Sequence, residues 1–170
     1  MLEHFIKAGE VLPILGLNSF PNPVWQTTSV LIVSGFGWPN GLTRTLPSNN
    51  LRQLIFDTNE MPSISNKPFE YCGSLAELTL TRLHMVQLTE QSLLGLGSLK
   101  KLDMSYNQFN AFPENVFQWL GSLLELDLGF NYLFDDMAMA MMLDSFPQLE
   151  RLSLAGTKVN PVLAVFIFSA

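Results

Sequence analysis

The side chains able to carry chemistry recur at one interval. Glu77, Lys101 and Glu125 lie 24 residues apart, as do Asp103 and Asp127, and so do Arg82, Tyr106 and Phe130. Two carboxylates held on neighbouring backbone positions repel, so a pair such as Asp103 and Asp127 invites a cation or the Lys or Arg of a partner. An Arg beside exposed Tyr and Phe has the composition of a protein-binding hot spot. The expected contact surface is therefore Arg82, Tyr106 and Phe130, with Glu77, Lys101, Asp103, Glu125 and Asp127 beside them. A plainer reading competes with each part. Lys101 is available to offset the Asp pair, and the row Gln53, Glu77, Lys101, Glu125, Arg151 alternates in sign. Cross-strand ion pairs in such a row contribute only about 0.2–1 kcal/mol each and need no ligand to explain them. The aromatic residues, for their part, can pack against neighbouring loops.

The other reactive residue types lead nowhere. Cys72 is the sole cysteine, so no internal disulfide forms, and it reads as a small buried thiol. His4 and His84 are far apart in sequence and have no companions for a metal or catalytic pair. Gly35-Phe36-Gly37 lacks the following helix of a phosphate-binding loop. No G-x-S-x-G, H-E-x-x-H or Walker pattern occurs. No catalytic residue, metal ligand or cofactor site is expected, and the chain reads as a binding protein and not an enzyme.

What must position the contact residues is the element that repeats with them. Leu99-x-x-Leu102-x-Met104-x-x-Asn107-x-Phe109 is followed by Phe112-Pro113, Phe117 and Leu120. The first leucine of this ladder recurs at 51, 75, 99, 123 and 149, spacings of 24, 24, 24 and 26. Leu102 and Met104 lie two apart, so both point to one face of a short strand. Asn59, Asn107 and Asn131 fall at the bend that follows, where a side-chain amide can bond backbone groups as the chain turns away. Leu83 breaks that Asn series and Thr157 offers only a hydroxyl. Phe69 and Phe117, with Leu93 standing in between, fill the far side of the core. No single repeat can bury its apolar face, so neighbours must supply the burial, and their strands are expected about 4.8 Å apart in a parallel sheet. The two extra residues of the fourth repeat fall in Asp135 to Phe146, whose Met and Ala run predicts a short helix capped by Asp135 or Asp136.

This ladder is the leucine-rich repeat signature. Over roughly residues 27 to 168 the chain resembles a leucine-rich repeat protein, and its 24-residue period is similar to the subclass of Toll-like receptor and other cell-surface ectodomains. The resemblance implies an α/β solenoid: a curved, right-handed superhelix with a parallel concave sheet and a convex side of loops and short helices. It also implies that the concave face binds a protein partner and that the setting is extracellular or the cell surface. The cysteine-rich caps usual in such proteins are missing, which leads us to expect a fragment of a longer array or a truncated member.

The remaining sequence bounds these expectations. Residues 1–26 form an N-terminal segment, readable as a short helix or a degenerate repeat, and 27–170 form the array, clear from 51. Pro21 and Pro23 interrupt the N-terminal pattern, Thr28 to Val33 predicts a buried strand, and Gly35, Gly37, Asn40 and Gly41 mark a loop. A formal charge of −6 disfavours a nucleic-acid partner, whose phosphates need clustered Lys and Arg. Glu3, Glu10 and Pro13 spoil a signal peptide, no apolar run approaches a membrane span, and no N-x-S/T acceptor occurs. Those features, with the lone cysteine, favour the alternative of an intracellular adaptor or regulatory scaffold. The apolar tail Val162 to Phe168 offers no polar outer face, so self-association through uncapped ends is expected.

Overall fold

The structure is a computed structural model that describes residues 3–7, 29–35, 40–42, 45–46, 50–64 and 67–160, with residues 3–7 described as backbone only. Several expectations lie outside these residues. They are the Pro21 and Pro23 interruption, the Phe36-Gly37 part of the loop, and the Val162–Phe168 tail with the self-association argued from it.

The apolar pair in each repeat becomes a strand, and the strands form one parallel sheet. β1 (Glu3–Lys7), β2 (Val30–Ser34), β3 (Gln53–Asp57), β5 (Glu77–Thr81), β7 (Lys101–Asp103), β8 (Glu125–Asp127) and β9 (Arg151–Ser153) follow one another in that order across it. Leu31, Leu54, Leu78, Leu102, Leu126 and Leu152 are successive register partners. The first five are buried, while Leu152 in β9 is partly buried against the same core. Side chains alternate along each strand, so the residues between these leucines face outwards. The strand predicted at Thr28 to Val33 is found as Val30–Ser34, and β1 adds a parallel strand beside it.

The turns are bound to one another by the Asn ladder. Asn107 Nδ2 donates to Leu80 O of the preceding turn at 2.7 Å, and its Oδ1 accepts from Leu83 N at 3.0 Å and Met85 N at 3.2 Å. Asn131 Nδ2 reaches back to Met104 O, and its Oδ1 accepts from Phe109 N. Asn59 Nδ2 donates to Val33 O. Leu83 therefore receives in its backbone what it cannot supply from its side chain. Thr157 Oγ1 donates only within its own turn, to Leu154 O.

Opposite the main sheet the chain is mostly turns. β4 (Ser63–Ile64) and β6 (Gln87–Leu88) pair in a small second sheet that the periodicity did not signal. The predicted helix is present as α1 (Asp136–Leu143), with Asp135 as N-cap accepting from the backbone of Met137 and Ala138 at 3.0 Å each. Phe69 and Phe117 are fully buried, and the Phe117 ring lies 5.0 Å from Phe112 and 5.3 Å from Phe146. This aromatic spine and the leucine row form one continuous core between sheet and turns.

Candidate functional site: an aromatic row at the strand ends and the sheet face beside it

Six strands of the main sheet, β2, β3, β5, β7, β8 and β9, are followed by the same unusual backbone state. Gly35, Thr58, Arg82, Tyr106, Phe130 and Gly156 have φ values of 76°, 54°, 54°, 56°, 55° and 70°. A left-handed conformation costs a non-glycine residue of order 1 kcal/mol or more; Thr58, Tyr106 and Phe130 each donate a backbone N–H to the next turn (to Thr81 O, Gly129 O and Ala155 O), which holds it. Repetition of one conformation superposes the side chains. Their spacing is then that of the strands, about 4.8 Å, which is also a favourable separation for stacked rings.

The outcome is a continuous row. The rings of Tyr106 and Phe130 are stacked 4.4 Å apart with 9° between their planes. The Arg82 guanidinium carbon lies 4.8 Å from the centre of the Tyr106 ring. Arg82 Nη1 is 3.2 Å from Asp57 Oδ1, which ties down the other end of the row. Beyond Phe130 comes Gly156, where a Cβ would stand 2.6 Å from Phe130 Cδ1. Only glycine permits both the backbone turn and the seating of the ring. Tyr106 and Phe130 nevertheless remain 46% and 49% exposed. An open aromatic surface backed by a cation is thus held in place across five successive turns.

Asp57 organises the charged end. Burial by itself would raise its pKa, but hydrogen bonds from Thr81, Thr58 and Arg82, together with the Arg82 charge, hold the carboxyl below its ordinary value. Thr81 Oγ1 donates to Asp57 Oδ1 at 2.6 Å and Thr58 Oγ1 to Oδ2 at 3.0 Å.

Next to the row, the outward side chains of β5, β7, β8 and β9 line an open groove of about 1010 Å³. Lys101 Nζ is 3.4 Å from Glu125 Oε1, and Arg151 bonds the same carboxylate. Gln53 Nε2 donates to Glu77 at 2.8 Å. Lys101 is therefore engaged with Glu125 and not with the Asp pair it was expected to offset. Asp103 and Asp127 are register partners on adjacent strands. Each accepts a backbone N–H two residues on, from Ser105 at 2.9 Å and from Gly129 at 2.8 Å.

The eight expected contact residues thus fall into two adjoining groups: Arg82, Tyr106 and Phe130 in the row, and Glu77, Lys101, Asp103, Glu125 and Asp127 on the groove floor. The 24-residue column that holds Arg82, Tyr106 and Phe130 also runs through Thr58 and Gly156, and sequence reasoning missed Asp57 and Thr81 as parts of the row. Asp57 was detectable, since it stands beside Thr58 at the step of the ladder where the row needs an anchor. Among the described residues, no group of three or more His, Cys, Asp or Glu is placed to hold a metal ion. Cys72 is buried, and burial pushes its thiol up to about 12, so it is inert at neutral pH. His84 Nδ1 lies 3.2 Å from Gln108 Nε2, away from any nucleophile.

Residues 73–133 match the family described as leucine rich repeat. The fold is similar to that of TLR13 in its complex with ssRNA13, at a TM-score of 0.53 and 23% identity, over 65% of this chain and 19% of that one. It is also similar to human 5T4 (Wnt-activated inhibitory factor 1, trophoblast glycoprotein), at a TM-score of 0.52 and 19% identity, over 81% of this chain and 63% of that one. The chain therefore spans less than two thirds of either protein. No curated protein sequence matches it.

Proposed function

We propose, from the premise that the chain is a leucine-rich repeat solenoid of the kind found in Toll-like receptor ectodomains, that it is a non-enzymatic protein-recognition module. Its partner docks on the Arg82–Tyr106–Phe130 row and sets basic side chains over Asp103 and Asp127. The single observation that carries this reading is the half-exposed, rigidly stacked row. Large rings fixed in place lose little entropy on binding, and hot spots concentrate in such residues. The groove floor supports the choice of a basic partner, because Glu125 is already paired twice while the Asp pair receives only backbone donors. A receptor-type ectodomain is the setting the fold likeness favours; the lone cysteine and the missing glycosylation acceptors favour an intracellular scaffold instead.

A second reading draws on the same row. Stacked rings beside an Arg can also carry the bases of a single strand, and one similar structure is a complex with ssRNA. The carboxylates of Asp57, Asp103 and Asp127 close by oppose phosphates, which is why the protein partner is preferred.

The test screens the chain against a panel of extracellular proteins by surface plasmon resonance, beside the Tyr106→Ala/Phe130→Ala variant and a fluorescent oligouridine probe. The proposal expects a partner that the double variant binds at least about 30-fold more weakly, the effect of losing about 2 kcal/mol of hot-spot contact. Equal binding by the variant would remove the row from the interface. Tight oligouridine binding lost in the variant would favour the second reading. Surface biotinylation of the tagged full-length protein separates ectodomain from intracellular scaffold.

A further inference from the structure

The fourth repeat departs from its neighbours on the turn that leads from the sheet to the opposite side. At the two outward positions after the Asn bend the other turns carry Glu60 and Pro62, His84 and Val86, Gln108 and Asn110, or Lys158 and Asn160. Here they carry Tyr132 and Phe134, which are 64% and 62% exposed. The helix that follows repeats the anomaly. Its inward residues Met139, Met142 and Leu143 are buried as a core face should be. Its outward face, where a surface helix ordinarily shows charge, presents Met137 and Met141, one helical turn apart and 71% and 60% exposed.

Phe134 and Met141 border a cleft of about 440 Å³ between residues 110–115 and α1. Leu133, Met139 and Met142 line it from the helix side, Phe112 from the other, and Phe134 and Met141 stand at its edge. That volume is within the range of about 300–1,000 Å³ typical of binding clefts, and thioether side chains adapt to what they hold. Among the described residues, the charged ones lining it are Glu114 and Asp135. Such a cleft meeting its own image on a second copy would set carboxylate against carboxylate, which argues for a foreign, basic occupant.

We propose that this cleft and the Tyr132–Phe134 step beside it dock an apolar segment of another protein that is flanked by Lys or Arg. The surface is separate from the strand-end row and does not depend on it. Apolar side chains of the segment enter between Phe112 and Met141, and its basic residues meet Glu114 and Asp135.

The experiment measures fluorescence anisotropy of a fluorescein-labelled nonapeptide, Lys-Leu-Lys-Phe-Leu-Leu-Lys-Leu-Lys, titrated with the full chain. A counterpart peptide carries Glu in place of every Lys. Phe134→Ser/Met141→Ser should weaken binding at least tenfold, and thermal melts check that these exposed changes leave the fold intact. Glu114→Gln/Asp135→Asn, which keeps a capping side chain on α1, should weaken it and flatten its salt dependence. Glu70→Gln, an exposed change that borders neither surface, should change nothing, and because the two surfaces share no residue this proposal can fail while the strand-end reading stands. The proposal is overturned by absent binding, by equal affinity of the Phe134→Ser/Met141→Ser variant, or by equal binding of the Glu peptide. Sedimentation showing a dimer that the same variant abolishes would also overturn it, by making a second copy the occupant.

Discussion

At the scale of single residues, the row depends on the two groups that end it. Gly156 adopts φ +70° with the Phe130 ring against its α-carbon. Gly156→Ala should cost roughly 1–2 kcal/mol in urea unfolding, from the left-handed backbone and the displaced ring together. It should also raise the exposure of Tyr106, read as faster quenching of its fluorescence. At the other end, Asp57 titrates below its ordinary value of 3.8 in the folded chain. A carboxyl with a depressed folded pKa contributes stability that is complete above the unfolded value and disappears as the pH falls through the folded one. Arg82 should therefore keep its anchor throughout the neutral range and lose it only below about pH 3.8, so stability measured from pH 7 to 5 should be flat with respect to this group. Asp57→Asn should remove that acid-limb contribution, which pH-dependent unfolding of the two proteins would detect.

Among the elements, α1 was the most legible and its outward face the least. Asp135 caps the helix through two backbone N–H groups. Asp135→Ala should cost about 1 kcal/mol, seen as a lower midpoint in thermal unfolding, with Asp135→Asn near wild type. The helix was foreseeable because Met and Ala are strong helix formers and an acidic residue stood at the right place. That Met137 and Met141 would face solvent was not, since a run of apolar residues has no polar side from which to read orientation. β4 and β6 escaped notice for a different reason. Two-residue strands carry too little pattern, and their pairing follows from the stacking of turns and not from their own sequence. The main-sheet strands from β3 onwards were legible from their leucines, because leucines two apart can share a face only in extended chain; β1, in a segment read as a short helix or a degenerate repeat, was not.

For the molecule as a whole, cohesion comes from contacts between successive turns, as expected of a quasi-one-dimensional stack. Asn107 concentrates it: one buried side chain makes five hydrogen bonds, three of them to the turn before. Asn107→Ala should destabilise the chain by about 3 kcal/mol, because buried backbone groups would lose partners that water cannot replace. The 24-residue period announced this architecture and placed Arg82, Tyr106 and Phe130 in one column. It did not announce that they would stack, which follows from the left-handed turn that each residue adopts. That turn in repeated register is the central claim, and nuclear Overhauser contacts between the ring protons of Tyr106 and Phe130 test it most directly. Strong cross-peaks between the two rings, accompanied by upfield-shifted Tyr106 resonances that return to ordinary values in Phe130→Ala, are the predicted result. Absence of those contacts in the folded chain would contradict the account.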